Sequence, residues 1–292
     1  MSSEPDDPEV AARMRRAHTV ACGFFGAARD ARASDGGPQE VWGWRGRTLG
    51  RPVTGPYGPG WLRVAHSPAD EASGKLWTGP EDAERLVPQQ IPRPCLRLVR
   101  QWTEKEDAYR AELYDHVTGG PLSPTPVLAA TPRLITAWWD DLRTALDRLS
   151  AVRTDRTAVR QAYLDRAMPK YLAFLGGSVP TTPPAWSTAH GDLHWANLAG
   201  PELGILDWEG WGTAPAGYDA ALLYAYSLTM PETAERVRRE LSTVLDSDAG
   251  RFAELVVITE LLQSADRGDN LELLPALRQR AREVWHQMTA DG

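Results

Sequence analysis

A chain of 292 residues is long enough for one large domain or two modest lobes around a real buried core. Hydrophobic residues at 42% and charged residues at 24% are an ordinary soluble balance, and a net charge of −7 argues against a nucleic-acid binder, which carries a basic patch or a high pI. Two cysteines, Cys22 and Cys95, lack metal-ligand spacing, which argues against a disulfide framework or a zinc site and makes a reducing cytoplasm the default location.

Residues 1–9 are acidic and contain proline, a composition that favours a loose segment. Residues 9–29 place Arg13, Arg15 and Arg16 ahead of an apolar stretch and Ala31-Arg32-Ala33 after it, which imitates a secretory leader. The acidic start, and the Cys22-Gly23 break in the apolar stretch, favour an N-terminal helix packed on the first of two lobes. The stretch is too short to span a bilayer as a helix.

From Glu40 the pattern changes to strands and turns. Residues 41–45 read as a strand, Gly46-Arg47-Thr48-Leu49-Gly50 as a tight loop and residues 51–54 as a returning strand. Gly55-Pro56-Tyr57-Gly58-Pro59-Gly60 is a turn signal, and residues 61–65 alternate like a third strand carrying Arg63. Thr78-Gly79-Pro80-Glu81 has the spacing of a capping box and predicts a short helix to about Val87. Residues 96–100 and 109–114 read as two further strands around a charged turn, which completes a five-stranded antiparallel sheet. Residues 115–126, rich in glycine and proline, read as the connection between two lobes, 1–117 and 118–292.

The second half is helical. Leu134, Trp138, Leu142, Leu146 and Leu149 recur at three and four, predicting a helix over about 133–150. A second helix spans about 162–175 and is bent or broken near Pro169; others come after it from Gly217 to Leu228, from Pro231, and over about 250–264 and 271–288.

Between these helices lies the stretch with the densest chemistry. His190-Gly191-Asp192-Leu193-His194-Trp195-Ala196-Asn197 puts a carboxylate and an amide five residues apart on a tight loop, and the apolar run 203–206 delivers Asp207 ten residues after Asn197. Asp192 is suited to hold a hydroxyl and accept its proton. Asn197 and Asp207 are oxygen donors of the kind magnesium prefers, and Glu209, two residues on along an extended segment, leaves on the same face as Asp207. His190 reads as fixing the loop through the backbone. His190-x-Asp192-x-His194 also imitates a dinuclear hydrolase, although His18, His66, His116 and His286 do not cluster with it.

These motifs, with Ile205-Leu206-Asp207-Trp208-Glu209, resemble the signature of aminoglycoside phosphotransferases and choline-kinase-like enzymes. The resemblance is sharp over about residues 186–229 and weaker elsewhere. It implies an α+β, bilobal protein-kinase-like fold, with a five-stranded small lobe and a mainly helical large lobe, and the use of ATP, or GTP, with Mg²⁺. It also implies that Gly46, Thr48 and Gly50 belong to a loop over the nucleotide phosphates. Adenine would meet the backbone near Leu113 and Tyr114, and Asp219 would hold the catalytic-loop amides beyond a plain helix-capping role. The family's third-strand cation is a lysine. Arg63 stands in that place here, with Lys75 as a fallback, and Glu81 or Glu84 would be the cation's helix partner. The implied reaction is phosphorylation of a hydroxyl on an aminoglycoside or related antibiotic, with choline, homoserine or a sugar as the alternative acceptor. No nucleic-acid or membrane partner is implied. A catalytically silent nucleotide-binding module stays open, because the lysine is missing.

Overall fold

The protein is represented by a computed structural model that describes residues 4–29 and 40–290; residues 31–33 and the side chain of Lys75 lie outside the described residues. Helix α1 (Pro8–Phe25) starts where the Asp7 carboxylate accepts the Glu9 amide with Pro8 in the first turn, and ends at Gly26 in a left-handed conformation. Its buried residues Ala11, Met14, Ala17, His18, Ala21, Cys22 and Phe25 recur at three and four, so one face covers the small-lobe sheet.

That sheet contains β1 (Ala28–Arg29), β2 (Val41–Trp42), β3 (Thr48–Gly55) and β4 (Gly58–Pro68). After helix α2 (Lys75–Leu86) come β5 (Leu96–Glu104) and β6 (Asp107–Asp115). The order is β1-β3-β4-β6-β5 with β2 also on β3, and every pairing is antiparallel. The expected five strands are therefore six among the described residues, two of them only two residues long. Alternation divides the sheet into two faces. Leu62, Val64, Ala111 and Leu113 lie under α1, while Trp61, Arg63, Glu112 and Tyr114 point the other way.

Three local expectations are corrected. The first strand stops at Trp42, because Trp44–Gly46 form a 3-10 turn in which Arg45 (φ 52) and Gly46 (φ 71) are left-handed. The turn thus begins before Gly46, and Thr48 and Gly50 belong to β3. Helix α2 starts three residues before Thr78, whose hydroxyl donates to Asp82 inside the helix and caps nothing. Pro80 accordingly sits within the helix.

The large lobe runs through α3 (Thr136–Ser150), α4 (Gln161–Tyr171), β7 (Trp186–Ala189), β8 (Leu198–Ala199), β9 (Gly204–Ile205) and β10 (Gly212–Pro215). It then continues through α5 (Tyr218–Ala225), α6 (Pro231–Glu240), α7 (Ser242–Leu245), α8 (Asp248–Ala265) and α9 (Leu274–Ala290). Helix α4 passes Pro169 and ends two residues later, before a 3-10 turn over Ala173–Leu175. Helix α8 is buried almost all round from Phe252 to Thr259, as expected of a helix at the centre of a bundle, and packs on α4, α5 and α9. Ala83, Val87 and Ile91, from α2 and the turn after it, belong to this large core and not to the one beneath α1. The chain thus crosses from small sheet to large core and back before residue 117.

Candidate active site

The site is built on two short antiparallel pairs. β7 pairs with β10 from Trp186↔Pro215 to Ala189↔Gly212, and β8 pairs with β9 through Leu198↔Ile205 and Ala199↔Gly204. The second hairpin extends by one bond, the Leu206 amide donating to the Asn197 carbonyl at 2.8 Å. Ten residues of separation between Asn197 and Asp207 are therefore one hairpin turned back on itself.

The loop after β7 is fixed from below. The Asp219 carboxylate, in the first turn of α5, accepts the His190 amide at 2.7 Å and the Gly191 amide at 3.0 Å. Gly191 has φ 83, and a Cβ there would meet the Gly210 carbonyl at 3.0 Å, so this turn demands glycine. Burial pushes the Asp219 carboxyl up to about 6, while its two amide donors act to lower it. The His190 Nε2–H donates to the Leu206 carbonyl at 2.9 Å, tying the loop to the Asp207 segment, and its ring packs edge-on against Trp208. Burial drives the His190 pKa down to about 4, so the ring is neutral at pH 7 and acts as a tether.

Asp192 is half exposed at the mouth of this loop. The Asn197 amide nitrogen donates to the Asp192 backbone carbonyl at 2.9 Å and to its carboxylate at 3.2 Å, which fixes the carboxylate. His194 Nε2 lies 3.5 Å from the same carboxylate. Burial alone would raise Asp192; the charge and hydrogen bond of His194, with His190 and Asn197, outweigh it and hold the carboxyl below its usual range. Asp192 is therefore ionised at neutral pH and can accept a proton.

Asp207 is a non-glycine residue at φ 61, a conformation that aspartate tolerates better than most. Burial and then the Glu209 charge raise its carboxyl, and Arg63, 3.7 Å away, offsets part of that rise. The segment thus carries two carboxylates, Asp207 and Glu209, faced by the guanidiniums of Arg63 and Arg47. No group of three His, Cys, Asp or Glu side chains among the described residues is placed to hold a metal alone. Magnesium does not require one, since it usually keeps waters and substrate phosphates in its shell.

Several residues expected at the site have other partners. Arg63 lies on β4, where the third-strand cation was expected, and opposes Glu112 in the β4–β6 register. It donates to Glu112 at 2.9 Å and to Glu209 at 2.7 Å. Its carboxylate partner on the sheet is thus Glu112; Glu81 instead pairs with Arg110, and Glu84 accepts the Leu96 amide. Glu209, expected beside the metal, has both oxygens on guanidiniums, those of Arg63 and Arg47. Gly50 makes room for the Trp61 indole, whose Nε1 would lie 2.6 Å from a Cβ at that position, and Thr48 packs against Gly43. Leu113 is buried in the small-lobe core, and the Tyr114 hydroxyl donates to Glu112 at 2.9 Å. Trp208 and Trp211 are buried, and the Trp211 indole donates to the Gly79 carbonyl at 2.9 Å.

Two arginines are not singled out by the sequence pattern because their partners are remote along the chain. Arg47 reaches Glu209 across 162 residues. Arg156 donates to Asp82 at 2.7 Å, to Thr78 at 3.2 Å, and to the carbonyls of Glu209 and Trp211 at 3.1 Å each. The one signal for Arg47 is its place directly after a glycine-bearing turn.

A family model, APH, described as "Phosphotransferase enzyme family", matches residues 122–255, the span that carries Asp192, Asn197, Asp207, Glu209 and Asp219. Over this span, which is just under half of its length, the chain is similar to the phosphotransferase enzyme family. That match points to phosphoryl transfer as its chemistry. No curated protein matches the chain. Among solved structures, a Plasmodium vivax ethanolamine kinase is similar at 10% identity and a TM-score of 0.47, covering 87% of this chain and 84% of that one. No helix among the described residues is long and apolar enough to cross a membrane.

Proposed function

We propose that this protein moves the γ-phosphate of ATP, or GTP, to a hydroxyl of a cationic small molecule, with an aminoglycoside or related antibiotic as the leading acceptor. The observation that carries the reading is the convergence of an ionised Asp192, fixed by Asn197, with Asp207 at the end of the β8–β9 hairpin. Asp192 aligns the acceptor hydroxyl and takes its proton as the new P–O bond forms. Asn197 and Asp207 would supply oxygen ligands for Mg²⁺, which when bound would offset the negative charge of the transferring phosphoryl group. Arg63 adds a fixed guanidinium next to Asp207. Asp219 and His190 keep the loop in its working shape without touching substrate.

The wall beside Asp192 supports a cationic acceptor. The Tyr218 hydroxyl donates to Glu260, and Tyr226 packs edge-on against His194. Burial raises the Tyr226 hydroxyl, and the negative charges of Asp192, Glu260 and Asp269 raise it further. Aromatic rings and carboxylates around one point stabilise an ammonium group.

The test is nucleotide turnover with Mg²⁺ over a panel of aminoglycosides, choline, homoserine and neutral sugars. Turnover is expected with an amine-bearing acceptor, and Asp192→Asn is expected to lower kcat by about 10²–10⁴ while nucleotide still binds. Turnover confined to neutral sugars would overturn the acceptor class. Undiminished kcat in Asp192→Asn would overturn the role of Asp192.

A further inference from the structure

Glu209 is clamped between two guanidiniums of different character. Arg63 Nη2 donates to Glu209 Oε2 at 2.7 Å, and Arg63 is itself held from the sheet by Glu112 at 2.9 Å, its side chain only 13% exposed. Arg47 Nη2 lies 2.5 Å from Glu209 Oε1, and this arginine, 40% exposed, comes directly after the Trp44–Gly46 turn and spans from the small lobe to the Asp207 segment. One cation is built into the sheet; the other is carried by a turn with two left-handed residues.

We propose that Glu209 is a resident anion standing where the β- and γ-phosphates of the nucleotide bind, and that Arg47 is the moving cation that passes from Glu209 to phosphate. The proposal rests on the reading of this cleft as a nucleoside triphosphate site. A carboxylate and a phosphate offer a guanidinium the same paired oxygens, so one replaces the other without leaving either arginine unpaired. Arg63 is half of a partly buried pair, and removing its anion with nothing in exchange is unfavourable. Glu209 already places an anion there, and its own carboxylate, 18% exposed, has a route to solvent when it is displaced. Asp207, 3.7 Å from Arg63, stays in place as the entering phosphates exchange with its neighbour. Glu209 then acts on affinity by competition, lowering it for triphosphates and leaving monophosphates unaffected.

The experiment is calorimetric titration of the full chain with a non-hydrolysable ATP analogue and with AMP, each with and without Mg²⁺. Replacing Glu209 by glutamine removes the charge and keeps the shape. Glu209→Gln is expected to tighten the triphosphate about tenfold and to leave AMP unchanged, as loss of one charge-assisted competitor implies. Arg47→Ala is expected to weaken the triphosphate about tenfold, again sparing AMP, and in that background the gain from Glu209→Gln shrinks. A gain in affinity is not something misfolding produces, so Glu209→Gln is decisive even if Arg47→Ala disturbs its turn. Weaker triphosphate binding by Glu209→Gln only when Mg²⁺ is present would make Glu209 a metal ligand and overturn the proposal. Unchanged affinity in Glu209→Gln, or equal loss of AMP and triphosphate in Arg47→Ala, would overturn it as well. If the wild-type chain binds no nucleotide, the functional reading falls and this proposal with it; if it binds and the variants depart from these outcomes, the proposal alone falls.

Discussion

His18 shows how one side chain couples the small lobe to pH. It is fully buried in α1, donates from Nε2 to the Leu62 carbonyl at 3.1 Å and faces the Cys22 sulfur at 3.6 Å through Nδ1. Burial first, and the charges of Arg51 and Arg29 next, push its pKa from 6.5 down to about 4, with Glu40 acting weakly the other way. The folded value lies below the unfolded one, so the unfolded chain takes up a proton over a range in which the folded chain does not. Stability is therefore complete above pH 6.5 and is lost as pH falls toward 4, after which the loss stops growing. For His18 alone the loss amounts to about 3 kcal/mol, from roughly 1.4 kcal/mol per pKa unit. His190, also pushed to about 4 by burial, contributes in the same window, while Glu40, held near 2 against its two arginines, contributes only at lower pH. Denaturant unfolding of wild type and His18→Gln at a series of pH values checks this. Glutamine keeps a donor for Leu62, and the stability slope between pH 6.5 and 4.5 is expected to fall by close to one proton. An unchanged slope would exclude His18 as a source of acid sensitivity.

At the scale of elements, the decisive connection runs through α2. Gly79 packs so closely on the Asp207 segment that a Cβ would sit 2.3 Å from the Glu209 carbonyl, and the single guanidinium of Arg156 joins Thr78 and Asp82 of α2 to the carbonyls of Glu209 and Trp211. Arg156→Ala is expected to cost about 2–4 kcal/mol, since it leaves Asp82 and two part-buried carbonyls short of a donor. Arg156→Lys is expected to recover little of it, because an ammonium cannot reach four acceptors in fork geometry. Recovery of wild-type stability by Arg156→Lys in chemical denaturation would mean that charge alone matters there. The same connections explain which features are legible in the sequence. Asp192, Asn197, Asp207 and Asp219 lie within one loop, one hairpin and the next helix, so their spacing is a local geometric record. Helix α3 announces itself by period, and β5 and β6 as two runs around a charged turn. The glycine turn is displaced because Arg45, a non-glycine residue, adopts the left-handed conformation that glycine usually marks. Helix α2 is longer than its sequence suggests because Thr78 and Pro80 imitate a helix start from inside the helix. Arg47 and Arg156 are not singled out by pattern, since a long-range ion pair has no period.

For the whole molecule, the two cores are unequal. The core beneath α1 is small and is built around Met14, Phe25, Leu49, Leu62 and Val64, whereas the large lobe has a far larger core in which α4, α5, α7 and α9 pack on α8. The small lobe also buries charge. Arg51 is 1% exposed, and its Nε and Nη1 find no partner among the described residues; Arg110 and Glu112, each 1% exposed, pair with each other. Apolar burial contributes roughly 25 cal/mol per Å², while each buried unpaired donor costs about 1–3 kcal/mol, so the small lobe has less stability per residue than the large one. Much of what joins the lobes is polar: Arg47 and Arg63 on Glu209, Arg156 on Asp82, and the Trp211 indole on Gly79. This imbalance leads to sub-global opening of the sheet and α1 ahead of global unfolding. Hydrogen exchange monitored by mass spectrometry is expected to show amides of β3, β4 and β6 exchanging before those of α5 and α8 in the free protein. A bound nucleotide with Mg²⁺, contacting both lobes, is expected to slow the sheet selectively, because a ligand adds its binding free energy only against openings that destroy its site. Exchange of both lobes at one common rate in the free protein would mean that the polar contacts across the cleft already fuse the two cores into a single cooperative unit.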